Sequence, residues 1–133
     1  MPSEDPISGA SRRVLDLSRI APRAIAKIAA FQPEIVAEVE RALEESPIVV
    51  VGMAQNPHVK GVRKALAAAG FEFKYVEYGS YVSKWKERLA IKLWSGWPTF
   101  PQVFVRRILI GGADDTIAAI ANGSLREKLK PGD

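Results

Sequence analysis

The sequence predicts an α/β fold in which a mixed four-stranded sheet is flanked by helices and preceded by an N-terminal helical extension. Three observations carry that expectation. Ile48 to Val51 is a continuous β-branched run, the pattern of a central strand buried on both faces. The apolar period switches along the chain between helical and strand spacing. Pro and Gly stand where the period changes, as at Pro33, Asn56-Pro57, Gly70, Gly79, Pro98 and Gly111-Gly112.

The elements follow in order. Residues 1–9 are polar and broken by Pro2, Pro6 and Gly9, the composition of a frayed or disordered start. Pro22 suits the first turn of a short helix reaching Ala30, and Pro33 starts another reaching Glu45. In the latter, Ile35, Val39, Ala42 and Leu43 recur at helical spacing while Glu34, Glu38, Arg41 and Glu45 take the other face. After the Ile48 to Val51 strand, Asn56 caps a helix with Pro57 at its first position. That helix runs to about Ala69, turns Val62, Leu66 and Ala69 to the core, and ends at a left-handed Gly70. Phe71 to Glu77 alternates as a second strand. Val82, Trp85, Leu89 and Leu93 mark the apolar stripe of the next helix, which the two prolines of Trp97-Pro98-Thr99-Phe100-Pro101 end. Gln102 to Val105 and Ile108 to Ile110 form a hairpin across Arg106-Arg107. Gly111-Gly112 then opens a last helix, Ala113 to Ala121, closed by Asn122-Gly123 before a short basic tail. Strands joined through a helix are expected parallel with a right-handed crossover, and the hairpin antiparallel. The order β-α-β-α-β-β-α is the thioredoxin-type arrangement.

Composition excludes several chemistries. The chain of 133 residues holds no cysteine, which removes disulfides, thiolate metal sites, thiol nucleophiles and thiol redox chemistry of its own. One His and two Met leave few other soft ligands, so no metal is expected. A net charge of +4, from 19 basic and 15 acidic residues, favours acidic partners only weakly. No nucleic-acid signature motif appears, and no nucleic acid is expected. Arg or Lys interrupts every long apolar stretch, so neither a membrane-spanning segment nor a membrane partner is expected. The start lacks the basic and apolar regions of a secretory signal. Arg12, Arg13, Arg19, Arg23 and Lys27 among apolar neighbours are similar to a transit peptide, but Asp16 and the second helical pattern argue against removal. A cytoplasmic location is the expectation.

The stretch KLWSGWPTFPQVFV (residues 92–105), followed by LIGGADD (residues 109–115), resembles the C-terminal half of glutaredoxins, in particular the monothiol type. The resemblance covers roughly residues 32–129. It implies a thioredoxin-like (glutaredoxin) fold and divides the chain into an extension, residues 1–31, and a glutaredoxin-like domain, residues 32–133.

What the resemblance implies for chemistry depends on position. The family places its nucleophilic cysteine at the first strand-to-helix turn, where this chain reads Asn56-Pro57-His58-Val59. Asn has no ionisable proton, so disulfide exchange and iron-sulfur ligation are not expected, and the catalytic position is empty of a nucleophile. The family's basic residue three positions earlier falls on Met53. As residue types, Asn56 reads as a helix cap and Met53 as an apolar gap-filler.

Other parts of the family's glutathione cradle have counterparts. Thr99, Phe100 and Pro101 fall where the family has a cis proline, which would present the Phe100 backbone to an extended peptide. Gly112, Ala113 and Asp114 fall at the helix N-terminus that would meet a γ-glutamyl carboxylate and ammonium. Lys92 matches a basic residue used towards the glycyl carboxylate, and Trp97 would wall that end. Each has a purely structural reading as well. The proline serves the fold, Asp114 and Asp115 satisfy the first turn of their helix, and Lys92 joins Lys84, Lys86 and Arg88 on a solvated face. Trp85 on the apolar stripe reads as core. Arg106-Arg107 is unusual for a two-residue hairpin: either the loop is longer, or a cost of roughly 1 to 2 kcal/mol per left-handed residue is accepted.

The expected function is that of a cysteine-less glutaredoxin-like protein without thiol-disulfide oxidoreductase activity of its own. It would bind glutathione, a γ-glutamyl compound or an extended segment of a partner protein. Two alternatives stay open. One is a glutathione-dependent enzyme using non-thiol chemistry with His58 as acid or base, so that enzyme status is undecided. The other is a basic interaction module using Lys84, Lys86, Arg88, Lys92, Arg106 and Arg107. Residues 1–31 either cap the sheet edge or mediate homodimerisation.

Overall fold

The computed structural model describes residues 13–130. The frayed start expected over residues 1–9 lies outside them. The chain divides into two compact units, residues 1–31 and 32–133. In the first, a single 3-10 turn at Leu17–Arg19 is capped by Asp16, whose Oδ1 accepts the Ser18 N–H at 2.8 Å. Pro22 then opens helix α1, Pro22–Ala29.

The second unit contains α2 (Pro33–Glu45), β1 (Ile48–Gly52), α3 (Pro57–Ala68), β2 (Lys74–Glu77), α4 (Trp85–Ser95), β3 (Gln102–Val105), β4 (Ile108–Gly111), α5 (Ala113–Ala121) and α6 (Ser124–Lys128). The four strands lie in the order β2-β1-β3-β4. β1 runs parallel to β2 and antiparallel to β3, and β3 pairs antiparallel with β4. This is the mixed sheet that the apolar patterning predicts.

The unbroken β-branched run of β1 follows from its central place, because successive side chains of a strand point to opposite faces and here both faces are covered. Val49 and Val51 join Val39 and Leu43 of α2, Ile91 of α4 and Phe104. Ile48 and Val50 join Val62 and Leu66 of α3, Val103, Val105 and Leu125. Tyr78, just past β2, donates its hydroxyl to Glu38 Oε1 of α2 at 2.8 Å. Burial, with that carboxylate beside it, pushes the phenol above its ordinary pKa.

The structure departs from the sequence reading at four places. β2 begins at Lys74 rather than Phe71, because the end of α3 claims the preceding residues. Gly70, at φ 84°, donates to Ala67 O at 3.0 Å, and the Phe71 N–H reaches back to Leu66 O at 3.0 Å. That pair of bonds is a Schellman closure, and strand pairing starts only beyond it, at Val49 opposite Lys74. In α3 itself, Val59 joins Val62 and Leu66 in the core while Ala69 is only half-buried.

The largest departure is α4. The stripe of Val82, Trp85, Leu89 and Leu93 does not face the core: Val82 is 94% exposed, Trp85 60% and Leu93 55%. The buried face carries Arg88, Ala90 and Ile91 instead, with half-buried Trp94 stacked at 5.5 Å on Phe104. Leu89 and Ile91 stand about 200° apart around a helix, so burying Ile91 turns the other stripe outward. Arg88, expected on a solvated face, is buried because its Nη1 donates to the carbonyls of Tyr78, at 3.0 Å, and Ser83, which hold the chain entering the helix.

The Arg106-Arg107 loop is the tight version, with φ of 52° and 71°, so both residues adopt left-handed geometry. The Arg106 N–H donates to Pro47 O at 2.8 Å, which anchors the turn. The expected basic tail is helix α6. Asn122 Oδ1 accepts the Ser124 N–H at 2.8 Å, Gly123 turns at φ 84°, and Leu125 is fully buried among α3 and the sheet.

Candidate functional site

Two helix N-termini and the segment before β3 define the site. At α3, Pro57 occupies the first helical position and Asn56 closes the end: its Oδ1 accepts the N–H groups of His58 at 2.9 Å and Val59 at 3.1 Å. Asn56 is therefore the cap its residue type suggests, with its side chain drawn inward and 9% exposed. Met53 is buried in the core face shared by α2 and α4, which suits a flexible apolar gap-filler.

Between α3 and α5 lies a cleft of about 280 Å³. Trp97, Thr99, Phe100 and Pro101 line it from the segment before β3, and Gly112, Ala113 and Asp114 from the start of α5. The chain thus brings together every ligand position inferred from the resemblance except Lys92. That residue is half-buried with its Nζ 5.7 Å from the centroid of the Phe100 ring, set back from the lining. Asn56 is likewise not among the lining residues. The Phe100–Pro101 bond is cis.

Local geometry explains how the walls are held. The β3–β4 pairing carries an irregularity at Val103/Phe104, after which Gly111 takes φ 130° and delivers Gly112 to the cleft. A side chain on Gly112 would place its Cβ 3.3 Å from Trp97 Nε1 and 3.4 Å from Pro101 O, so glycine lets the indole lie against the turn. Gln102, fully buried, donates from Nε2 to Trp97 O at 3.0 Å and ties the first wall to β3.

The two acidic residues of α5 divide their work. Asp115 Oδ2 accepts the Gly112 N–H at 3.0 Å, and Thr116 Oγ1 donates to Gly112 O at 2.8 Å. Asp114 is exposed, lines the cleft and makes no side-chain hydrogen bond or ion pair among the described residues. The resemblance assigns only Asp114 to a ligand, while the structural reading of the sequence places both carboxylates in the first turn of the helix. The signal that separates them is spacing, since only Asp115 sits three residues beyond Gly112. Gln102 is a support that the motif reading did not single out, whereas Asp115 satisfies the first turn of α5 as its residue type suggests. His58, considered only as an acid or base, is exposed and also lines the cleft.

Chemically, the cleft offers one unpaired carboxylate, the start of a helix whose dipole favours anions, backbone groups beside Pro101 and an indole wall. The donor set at Asn56 is an amide already engaged with backbone, with no thiolate to ligate an iron-sulfur cluster; such a group does not fit.

No family model matches the chain. Among curated proteins, a glutaredoxin-like protein of Dictyostelium discoideum is 51% identical over 100 residues, covering 75% of this chain and 81% of that protein. Glutaredoxin 4 of Escherichia coli is 30% identical over 101 residues, covering 71% and 84%. Among solved structures, wheat glutaredoxin superposes with a TM-score of 0.64 at 31% identity, covering 74% of this chain and 91% of its own. A buckwheat glutaredoxin-glutathione complex superposes with a TM-score of 0.65 at 22% identity, covering 73% and 88%, a likeness of fold.

Proposed function

From the premise that this chain belongs to the glutaredoxin family while holding no cysteine, we propose that it is a binding member of the family and not an oxidoreductase. Its cleft holds glutathione, a γ-glutamyl compound or an extended cysteinyl-like segment of a partner. The observation that carries this reading is the contrast between the free Asp114 carboxylate in an open cleft and the α3 N-terminus filled by Asn56. Thiol-disulfide exchange proceeds through a thiolate, and this chain supplies none.

The reading assigns each group a physical task. First-turn N–H groups of α5 meet the γ-glutamyl carboxylate, and Asp114 pairs with the ammonium. Phe100 offers its backbone to the central residue of the ligand, and Trp97 bounds the far end. Lys92, set behind Phe100, extends towards the glycyl carboxylate. The glutathione held by the buckwheat protein on the same fold supports the choice of ligand.

Calorimetric titration of the untagged chain with reduced glutathione tests it. Saturable heat with a Kd of about 1 mM or tighter is expected, equivalent to roughly 4 kcal/mol of binding free energy. No heat at about ten times that concentration removes glutathione as the ligand.

A further inference from the structure

The outward stripe of α4 is an apolar surface that neither the fold nor the cleft uses. Tyr81, Val82, Trp85, Leu89 and Leu93 are all exposed, although isolated surface apolar residues are ordinary and contiguous ones are not. Trp85, Leu89 and Leu93 recur every four residues, so on the helix they form one ridge about 12 Å long, extended at its start by the loop carrying Tyr81 and Val82. None of these residues lines the cleft.

Charge around the ridge selects its occupant. Lys84 and Lys86 are exposed beside it, and neither forms an ion pair among the described residues. Lys86 Nζ instead lies 5.8 Å from the Trp85 ring centroid. Glu87 is the one acidic residue of the helix, while Arg88 is spent on the carbonyls of Tyr78 and Ser83. Two copies of this face brought together would set lysines against lysines, whereas an acidic partner would answer them.

We infer that the α4 ridge is a docking surface for an amphipathic helix of a partner protein, one with apolar residues at helical spacing and flanking Asp or Glu. Helix-on-helix packing along the ridge buries Trp85 and Leu93 as anchors, and Lys84 and Lys86 set orientation and encounter rate. The surface is independent of ligand binding in the cleft, so failure of one leaves the other standing.

The test selects binders from a display library of random peptides of about 16 residues, long enough for four helical turns. The full chain and its Trp85→Ser/Leu93→Ser variant serve as parallel baits. Selected peptides are then synthesised and titrated by fluorescence anisotropy. Both substitutions are at exposed positions, and thermal melting of the variant confirms its fold. The expected result is enrichment, on the wild-type chain only, of acidic peptides with apolar residues at i, i+3 or i+4, and i+7. Their affinity should fall about tenfold or more in the double variant and again in Lys84→Glu/Lys86→Glu, which keeps the ridge and reverses its charge. Enrichment that is equal on both baits, absent, or of basic sequences overturns the inference. So does a wild-type dimer in sedimentation equilibrium that Trp85→Ser/Leu93→Ser converts to monomer, since a second copy would then be the occupant.

Discussion

Two helices point their N-termini towards the same region, and they are finished in opposite ways. At α3 the chain's own amide oxygen takes the N–H groups of His58 and Val59, so the electropositive end is satisfied internally. At α5 the cap is drawn from within the helix: Asp115 reaches back to the Gly112 N–H and leaves Asp114 facing an open cleft. In a glutaredoxin the first of these ends is where a thiolate gains its stability, because unpaired N–H groups and the dipole favour the charged sulfur. The difference teaches that the two helix ends are finished independently, one closed by its own side chain and the other left open to the cleft.

The strongest way to break the comparison is to reopen α3. Asn56→Cys places a thiol where two N–H donors wait. If its pKa falls by about two units, the thiolate fraction at pH 6 rises about a hundredfold and its nucleophilicity falls about tenfold, leaving alkylation about tenfold faster than for free cysteine. The wild-type chain should show no alkylation and no reduction of a glutathione mixed disulfide in the same assays. A variant thiol that reacts no faster than free cysteine would show that this end lacks the anion-stabilising geometry.

Next in size is Asp114→Ala, which removes an exposed carboxylate without a partner. Glutathione affinity should weaken about tenfold, or roughly 1.4 kcal/mol, measured by calorimetry, while the melting temperature stays put. Loss of stability without loss of affinity would reassign Asp114 to the fold. Asn56→Ala does the reverse: denaturant unfolding should register about 1 kcal/mol of destabilisation, with glutathione affinity unchanged. Smallest is Asp115→Asn, where an amide oxygen still accepts the Gly112 N–H. Its stability should change by about 0.5 kcal/mol or less in the same unfolding experiment, a result that Asp115→Ala should exceed.

Much of this site was legible in the sequence because its walls are contiguous segments. Trp97 to Pro101 and Gly112 to Asp114 each occupy a few consecutive positions, so recognising the segment places the residues. The cap at Asn56, the central strand β1 and the buried face of α2 were legible for a similar reason, as each depends on local residue type or on one unambiguous period. α4 was not. It carries apolar residues at 85, 89 and 93 and again at 90, 91 and 94, so its pattern allows two faces. The choice is made by Arg88 reaching the carbonyls of Tyr78 and Ser83 and by Trp94 meeting Phe104, contacts that periodicity does not encode. The late start of β2 escaped because alternation at Phe71 and Phe73 reflects packing against the core below the α3 cap rather than pairing. The set-back position of Lys92 depends on a distance between segments, which only the folded chain supplies, whereas the separate tasks of Asp114 and Asp115 follow from the three-residue spacing of Asp115 from Gly112.

The most direct measurement of the central claim is a titration of the ¹⁵N-labelled, untagged chain with reduced glutathione, followed amide by amide. Saturable shifts are predicted at Thr99, Phe100, Gly112 and Asp114, with smaller ones at the His58 and Val59 amides, whose bonds to Asn56 are already made. Shifts concentrated at the α3 end, or none anywhere at about 10 mM ligand, would contradict the account.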